Sequence, residues 1–135
     1  MSLENAENIL KNFIIAMNNW EKHYYPLVKN GSSEEVRLNM IDDLNCIFNK
    51  YCTKKERKYG RQVSLGCGNP PEYSPDEKFL KTEELKNNKI VIYTQEQNGV
   101  KDQFRYTLHF KNHEWRIDKK EVYDDIDNKW EKYTL

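Results

Sequence analysis

Hydrophobic residues at the start of the chain recur at the spacing of a helix. The steps between them alternate between three and four, and the stripe comprises Leu3, Ala6, Leu10, Phe13, Met17, Trp20 and Tyr24. Side chains with this period share one helical face, so the pattern predicts a long first helix that lies on a core. Pro26 is expected to end it, because the proline ring disfavours a helical conformation at Tyr25.

A second helix is predicted after the turn at 30–33. Ser32 and Glu35 have the spacing of a capping box, in which two side chains satisfy early N–H groups of a helix. The apolar face of this helix is predicted to contain Val36, Met40, Leu44, Ile47 and Tyr51.

The middle of the chain carries residues that interrupt regular structure. Residues 61–77 contain two glycines and three prolines, which predicts a short strand followed by an irregular loop. A short helix is then predicted over 74–85, with Ser74 as its N-cap and Pro75 at its first position.

Everything after Asn88 has the pattern of β-strands. Residues 89–95 are β-branched and aromatic, and the Asn-Gly pair at 98–99 is a hairpin signal. In the next strand polar residues alternate with an apolar set, which is Phe104, Tyr106, Leu108 and Phe110. One face of the sheet is therefore predicted to be apolar and the other wet.

After a turn at 111–114, the next strand is expected to point Trp115 and Ile117 inward, and 127–135 to add a final strand. Helices followed by antiparallel strands define an α+β protein. The predicted architecture is a single domain over 1–135, in which the N-terminal helices pack in a curved, cone-shaped antiparallel sheet.

Composition narrows the function classes. The chain has 22 basic and 22 acidic residues, so no overall field attracts nucleic acid or an anionic membrane. Its local charge is uneven, with a basic run at 54–61 and an acidic run at 124–127. The three cysteines, Cys46, Cys52 and Cys67, are odd in number and form no CxxC pair, which favours a reducing cytoplasm.

No motif for a metal or a cofactor is present. His23, His109 and His113 lack the HExxH spacing, and residues 124–131 lack the glycine and terminal glutamate of a calcium loop. The sequence therefore predicts no metal, no cofactor and no catalytic residues. The apolar cluster at 13–17 is too short to span a membrane.

The stretch Trp-Arg-Ile-Asp-Lys-Lys at 115–120 is the densest mixture of charges in the strand region. If Trp115 and Ile117 point inward, alternation puts Arg116, Asp118 and Lys120 on the wet face. No carboxylate is then expected inside the cone.

Pocket candidates are instead Glu72 and Tyr73 in the proline-bracketed loop, together with Trp115. The alternative for Tyr73 is that its ring closes the open end of the core.

Several short motifs together resemble a known family. They are the Pro-Pro-Glu-Tyr loop at 70–73, the acid at Glu77, the aromatic hairpin, the stretch at 115–120 and the late Lys129-Trp130 pair. In this order, over roughly 36–135, they resemble the immunity proteins of bacterial polymorphic toxin systems that have the nuclear-transport-factor-2 fold. The resemblance implies a cytoplasmic, non-catalytic protein that neutralises a cognate toxin by binding it.

Two other functions stay open at this point. One is a small-molecule-binding or isomerase/dehydratase-like cone-fold domain, and the other is a nucleic-acid-binding module that uses 54–61. A homodimer is also left open. For an immunity protein, the toxin-binding candidates are Asp124, Asp125 and Asp127, because an acidic loop would steer association with a basic toxin surface.

Overall fold

The computed structural model describes residues 2–31, 33–57 and 71–135. Two helices come first, α1 (Leu3–Lys29) and α2 (Glu34–Tyr51). Five strands follow, β1 (Lys78–Leu85), β2 (Lys89–Gln95), β3 (Gln103–Lys111), β4 (Glu114–Asp124) and β5 (Lys129–Tyr133). The strand predicted near 61, the second half of the basic run, Cys67 and Ser32 lie outside the described residues.

The first helix begins where Ser2 caps it and continues beyond the predicted end. Ser2 Oγ accepts a hydrogen bond from Asn5 N at 3.4 Å. Pro26 lies inside the helix, so the expectation that it ends α1 is wrong. Proline removes a hydrogen bond and crowds the preceding turn, but the Pro26 carbonyl still accepts from Asn30 N at 3.3 Å, so the helix makes one further turn.

The second helix packs against the first through aromatic and polar contacts. Its N-cap is Ser33, whose hydroxyl accepts from Val36 N at 3.2 Å. The indole of Trp20 donates to Met40 O at 3.1 Å, and the hydroxyl of Tyr24 donates to Asp43. Of the predicted apolar face, Met40 and Leu44 are buried.

The strands form one antiparallel sheet in the order β1-β2-β3-β4-β5. Residues 78–85 form β1 rather than the short helix predicted over 74–85, so that prediction is wrong. Ser74 does cap a turn there, because its hydroxyl accepts from Asp76 N at 3.2 Å. The positive φ of Asn87 (64°) and Asn88 (58°) then reverses the chain, and β1 pairs along β2.

The core lies between the helices and one face of the sheet. The predicted helical stripe is buried from Ala6 to Tyr24, and it meets the alternating strand residues as predicted. These buried strand residues are Ile90, Ile92, Phe104, Tyr106, Leu108, Trp115 and Ile117. The sequence therefore predicted correctly the inward face of β3 and the inward position of Trp115 and Ile117 at the start of β4.

The edge of β4 is covered by two different neighbours. β5 pairs with 120–124 alone. Along the first half of β4, Cys52 forms a parallel bridge to Ile117, and Thr53 N donates to Ile117 O at 2.8 Å. The residues that directly follow α2 thus occupy an edge that would otherwise be open to pairing with another chain. Among the described residues, neither helix is sufficiently long and apolar to cross a bilayer.

Candidate functional site

A β-bulge in the middle of β4 decides which charges of 115–120 enter the interior. Thr107 pairs with Lys119 and Leu108 with Ile117, so Asp118 is the extra residue. A bulge shifts the alternation by one, because two residues on one strand oppose one on its partner. Lys120 is consequently only 2% exposed, and the prediction that it lies on the wet face is wrong.

The buried Lys120 ammonium is surrounded by aromatic rings. Its Nζ lies 4.1 Å from the ring centroid of Phe104 and 4.4 Å from that of Tyr73. The rings of Tyr106 and Tyr133 are at 5.3 and 5.1 Å. Desolvated cation–π contacts of this kind compensate part of the cost of burying a charge.

A carboxylate lies in the same interior, at the start of β1. Glu77 is 8% exposed, and burial raises the pKa of its carboxyl above the ordinary 4.5, against the attraction of Lys120. Burial and the charge of Glu77 together raise the pKa of the Tyr106 hydroxyl well above 10. The expectation that no carboxylate enters the cone is therefore wrong.

The predicted pocket residue Tyr73 is a core residue instead. Its ring is 1% exposed and meets Phe13 edge to face at 5.6 Å. Its backbone is held by α1, since Tyr73 N donates to Glu21 Oε2 at 3.0 Å and Asn18 Nδ2 donates to Tyr73 O at 2.7 Å. Tyr73 thus fills the core, which is the alternative that the sequence left open.

The two other pocket candidates lie apart from each other. Glu72 is exposed beside Tyr133, where burial and the Glu72 carboxylate raise the pKa of the Tyr133 hydroxyl to about 12. Trp115 is buried against Phe110, and its indole donates to Ser2 O at 3.1 Å. It lines a pocket of about 190 Å³ near the β1–β2 turn. Glu72, Tyr73 and Trp115 therefore do not form one site.

Arg116 and Asp118 hold the sheet to the end of α2. Arg116 Nη1 donates to Asn49 O and to Cys52 O, both at 2.8 Å. Asp118 accepts from the Thr53 hydroxyl at 2.8 Å and pairs with Lys55 at 3.1 Å. Burial opposes ionisation of Asp118, but these two partners, together with the nearby His109, outweigh it and lower the pKa of the Asp118 carboxyl.

Two residues of the described part of the basic run, 54–57, contact the same junction: Lys55 pairs with Asp118, and Arg57 donates to Ile117 O and Asp118 O. Arg57 donates to Thr53 O at 3.0 Å and lies over the Phe48 ring at 5.6 Å. Lys54 lines a neighbouring pocket of about 290 Å³ with His109, Lys111 and other residues. Half of the described run is thus committed to holding α2 against β4, which disfavours the nucleic-acid alternative.

The acidic candidates lie on the β4–β5 hairpin. Asp124 ends β4, and its Oδ1 accepts from Ile126 N at 2.9 Å and Asp127 N at 3.2 Å, which shapes the turn. Asp125 and Asp127 are exposed. Carboxylate oxygens of Asp124, Asp127 and Glu131 lie within 4.8 Å of one another, so negative charge is concentrated there. Ile126, between them, is 87% exposed.

A second surface feature lies next to the hairpin, on the outer face of the sheet. Tyr123 pairs with Trp130 across the two strands, and their rings are 5.2 Å apart. Tyr93 meets Trp130 at 5.7 Å, and the Arg105 guanidinium lies 4.6 Å above the same indole. We name these four residues the aromatic face. The sequence did not predict the aromatic face, because the bulge after Ile117 moves the later residues of β4 to the opposite face of the sheet from the one that alternation gives.

Comparison with known proteins agrees with this architecture. The chain belongs to the family of NTF2 fold immunity proteins, and the sequence model of that family matches residues 5–134. Two helices on a five-stranded antiparallel sheet are the α+β fold of that family. The resemblance found in the sequence is thereby confirmed.

A curated relative extends the match over nearly the whole chain. It is "Immunity protein RhsIA" from Dickeya dadantii (strain 3937), 53% identical over 133 residues, which is 98% of each protein. No solved structure gives a significant match.

Proposed function

We propose that this protein neutralises a cognate toxin by binding it directly, without catalysis, in the cytoplasm. The observation that carries the proposal is membership of the immunity family over residues 5–134, together with 53% identity to an immunity protein. The same observation does not favour the isomerase-like alternative. In the interior, the space beside Lys120 is occupied by the rings of Tyr73 and Phe104, which agrees with a binding role.

Charge is separated along the sheet, although the chain is neutral overall. The β4–β5 turn carries Asp124, Asp125 and Asp127, and the β2–β3 loop at the same end adds Glu96 and Asp102 against one cation, Lys101.

The opposite end, at the β1–β2 and β3–β4 turns, carries Lys86 and Lys111, while Glu114 there is paired with Arg116. An acidic end of this kind attracts a basic surface and raises the association rate. We propose that the acidic end faces the toxin.

The experiment uses the cognate toxin domain, which is sought first in the gene immediately upstream and is inactivated for purification. Asp124, Asp125 and Asp127 are changed together to Asn, which keeps the hydrogen-bond acceptors of the turn and removes three charges. Association with the toxin is followed at low and at high salt, and protection of cells is scored with the active toxin. We expect slower association at low salt, with the difference shrinking at high salt.

A matched control removes three charges elsewhere. Asp42, Glu56 and Glu84 are exposed and scattered, so changing them to Asn, Gln and Gln alters the net charge equally. Equal slowing by both triple variants would show that net charge acts and that the hairpin has no special role. Failure of the wild-type protein to bind or protect would contradict the proposed function itself.

The absence of catalysis has its own test. The purified protein is offered small ketones and hydroxy acids, and product formation is measured. We expect none above the background. Turnover that disappears with Glu72→Gln or Tyr73→Phe would contradict the proposal.

A further inference from the structure

The aromatic face has the composition of a binding hot spot. Residues that dominate interface energies are mostly Trp, Tyr and Arg. Tyr93, Arg105, Tyr123 and Trp130 are of these types, and all four are half-buried rather than covered. In the described part of the chain, the helices pack against the opposite face of the sheet, on Phe104, Tyr106 and Ile117.

The side chains of this face are already fixed in place. Arg105 makes two bonds to Glu121, Nε to Oε1 at 2.9 Å and Nη2 to Oε2 at 3.0 Å, and this pairing raises the pKa of the guanidinium. This pair of bonds holds the Arg105 guanidinium over Trp130. Lys81 Nζ lies 4.5 Å from the ring centroid of Tyr93. Binding loses less side-chain entropy when the rotamers are set beforehand.

The aromatic face is continuous with the acidic hairpin. Tyr123 and Trp130 are the pair next to Asp124 and Lys129, from which the turn departs. Ile126 extends from this turn with 87% of its surface exposed. A partner that meets the aspartates with basic residues therefore reaches the indole and the isoleucine as well.

We propose that the toxin docks on the aromatic face and on Ile126, with the aspartates as the charged rim of the same interface. This proposal rests on the proposed function and names the surface that carries it. The partner is a protein whose docking surface has an apolar centre and a basic border. The proposed function makes this partner the toxin, and the aspartates fit a basic border on it; a second copy of this chain docked through the same hairpin would bring like charges together.

The two parts of the interface have different kinetic roles. Exposed rim charges act mainly on the association rate, whereas buried aromatic anchors act mainly on the dissociation rate. Loss of an anchor should therefore shorten the lifetime of the complex and leave its formation nearly unchanged.

The test measures association and dissociation of the inactivated toxin domain with Trp130→Ala and Ile126→Ser. We expect Trp130→Ala to speed dissociation by about 30-fold, the size of a hot-spot loss, with association changed less than threefold. Ile126→Ser should speed it by about fivefold. Tyr25→Ala, on α1 away from the sheet, is the matched control and should leave both rates unchanged.

The test remains decisive even if Trp130→Ala destabilises the fold. Ile126 has little to pack against, so Ile126→Ser tests the surface even if Trp130→Ala weakens the sheet. Amide exchange of the wild-type protein, with and without the toxin domain, needs no variant and should show protection over 120–133.

Protection confined to the helices, or unchanged dissociation for both variants, would overturn the proposal. If wild-type protein binds tightly in that case, the proposed function stands and only the docking surface is wrong.

Discussion

The Lys120 ammonium lies 4.1 Å from the ring centroid of Phe104, although strict alternation along β4 would place it in solvent. The bulge at Asp118 causes the difference. It moves Lys120 into the core and Tyr123 to the outer face beside Trp130. One extra residue thus creates both the buried cation and the surface that we propose for the toxin.

Truncation of Lys120 should destabilise the protein. Lys120→Ala leaves a void among four rings, and we expect the free energy of unfolding to fall by roughly 2 to 4 kcal/mol. Lys120→Met keeps most of the volume and should lose less. Urea unfolding measures both, and Lys119→Ala, at the exposed neighbour, should change stability by less than about 0.5 kcal/mol. Equal effects at 119 and 120 would contradict the bulge.

The buried Glu77 should make stability depend on pH. Its pKa is raised on folding, so the folded state favours the protonated form, and stability is lost as pH rises from 4.5 towards the folded pKa. Glu77→Gln removes this loss. We expect the stability of the variant relative to wild type to increase with pH across that window and then level off. A relative stability that is flat between pH 4 and 8 would show that Glu77 is solvated.

Arg116 should stabilise the junction between α2 and β4. Its bonds to Asn49 O and Cys52 O satisfy carbonyls at the end of the helix, where cations are favoured. Arg116→Met should lower the free energy of unfolding by about 1.5 to 3 kcal/mol, the range for hydrogen bonds of charged groups. Lys111→Met, at the exposed end of β3, is the control. Faster amide exchange at 48–53 in the Arg116 variant alone would confirm the role.

Substitutions at Asn88, in the turn between β1 and β2, should change the stability according to how well the new residue tolerates a positive φ. Asn88 has a φ of 58°, a conformation that costs β-branched residues about 1 to 2 kcal/mol. Asn88→Val should lower the thermal midpoint, and Asn88→Gly should leave it within a degree or two. Tolerance of valine would contradict the hairpin that replaces the predicted helix.

The sequence determined those parts of the fold that depend on local period. The stripe from Ala6 to Tyr24 specified α1, and the alternation from Phe104 to Phe110 specified the inward face of β3. The short motifs that carry the family resemblance indicate an immunity protein without any knowledge of tertiary contacts. These features follow from the spacing of apolar side chains, which a single chain segment contains in full.

Only the tertiary structure decided the features that depend on partners distant in sequence. Residues 78–85 are a strand because β2 pairs with them, whatever helix propensity Glu83 and Glu84 bring. The bulge at Asp118 exists in the register between β3 and β4, where Thr53 and Lys55 bind the extra residue. Such a register shift leaves no period in the sequence, so the burial of Lys120 and the aromatic face could be found only once the strands were paired.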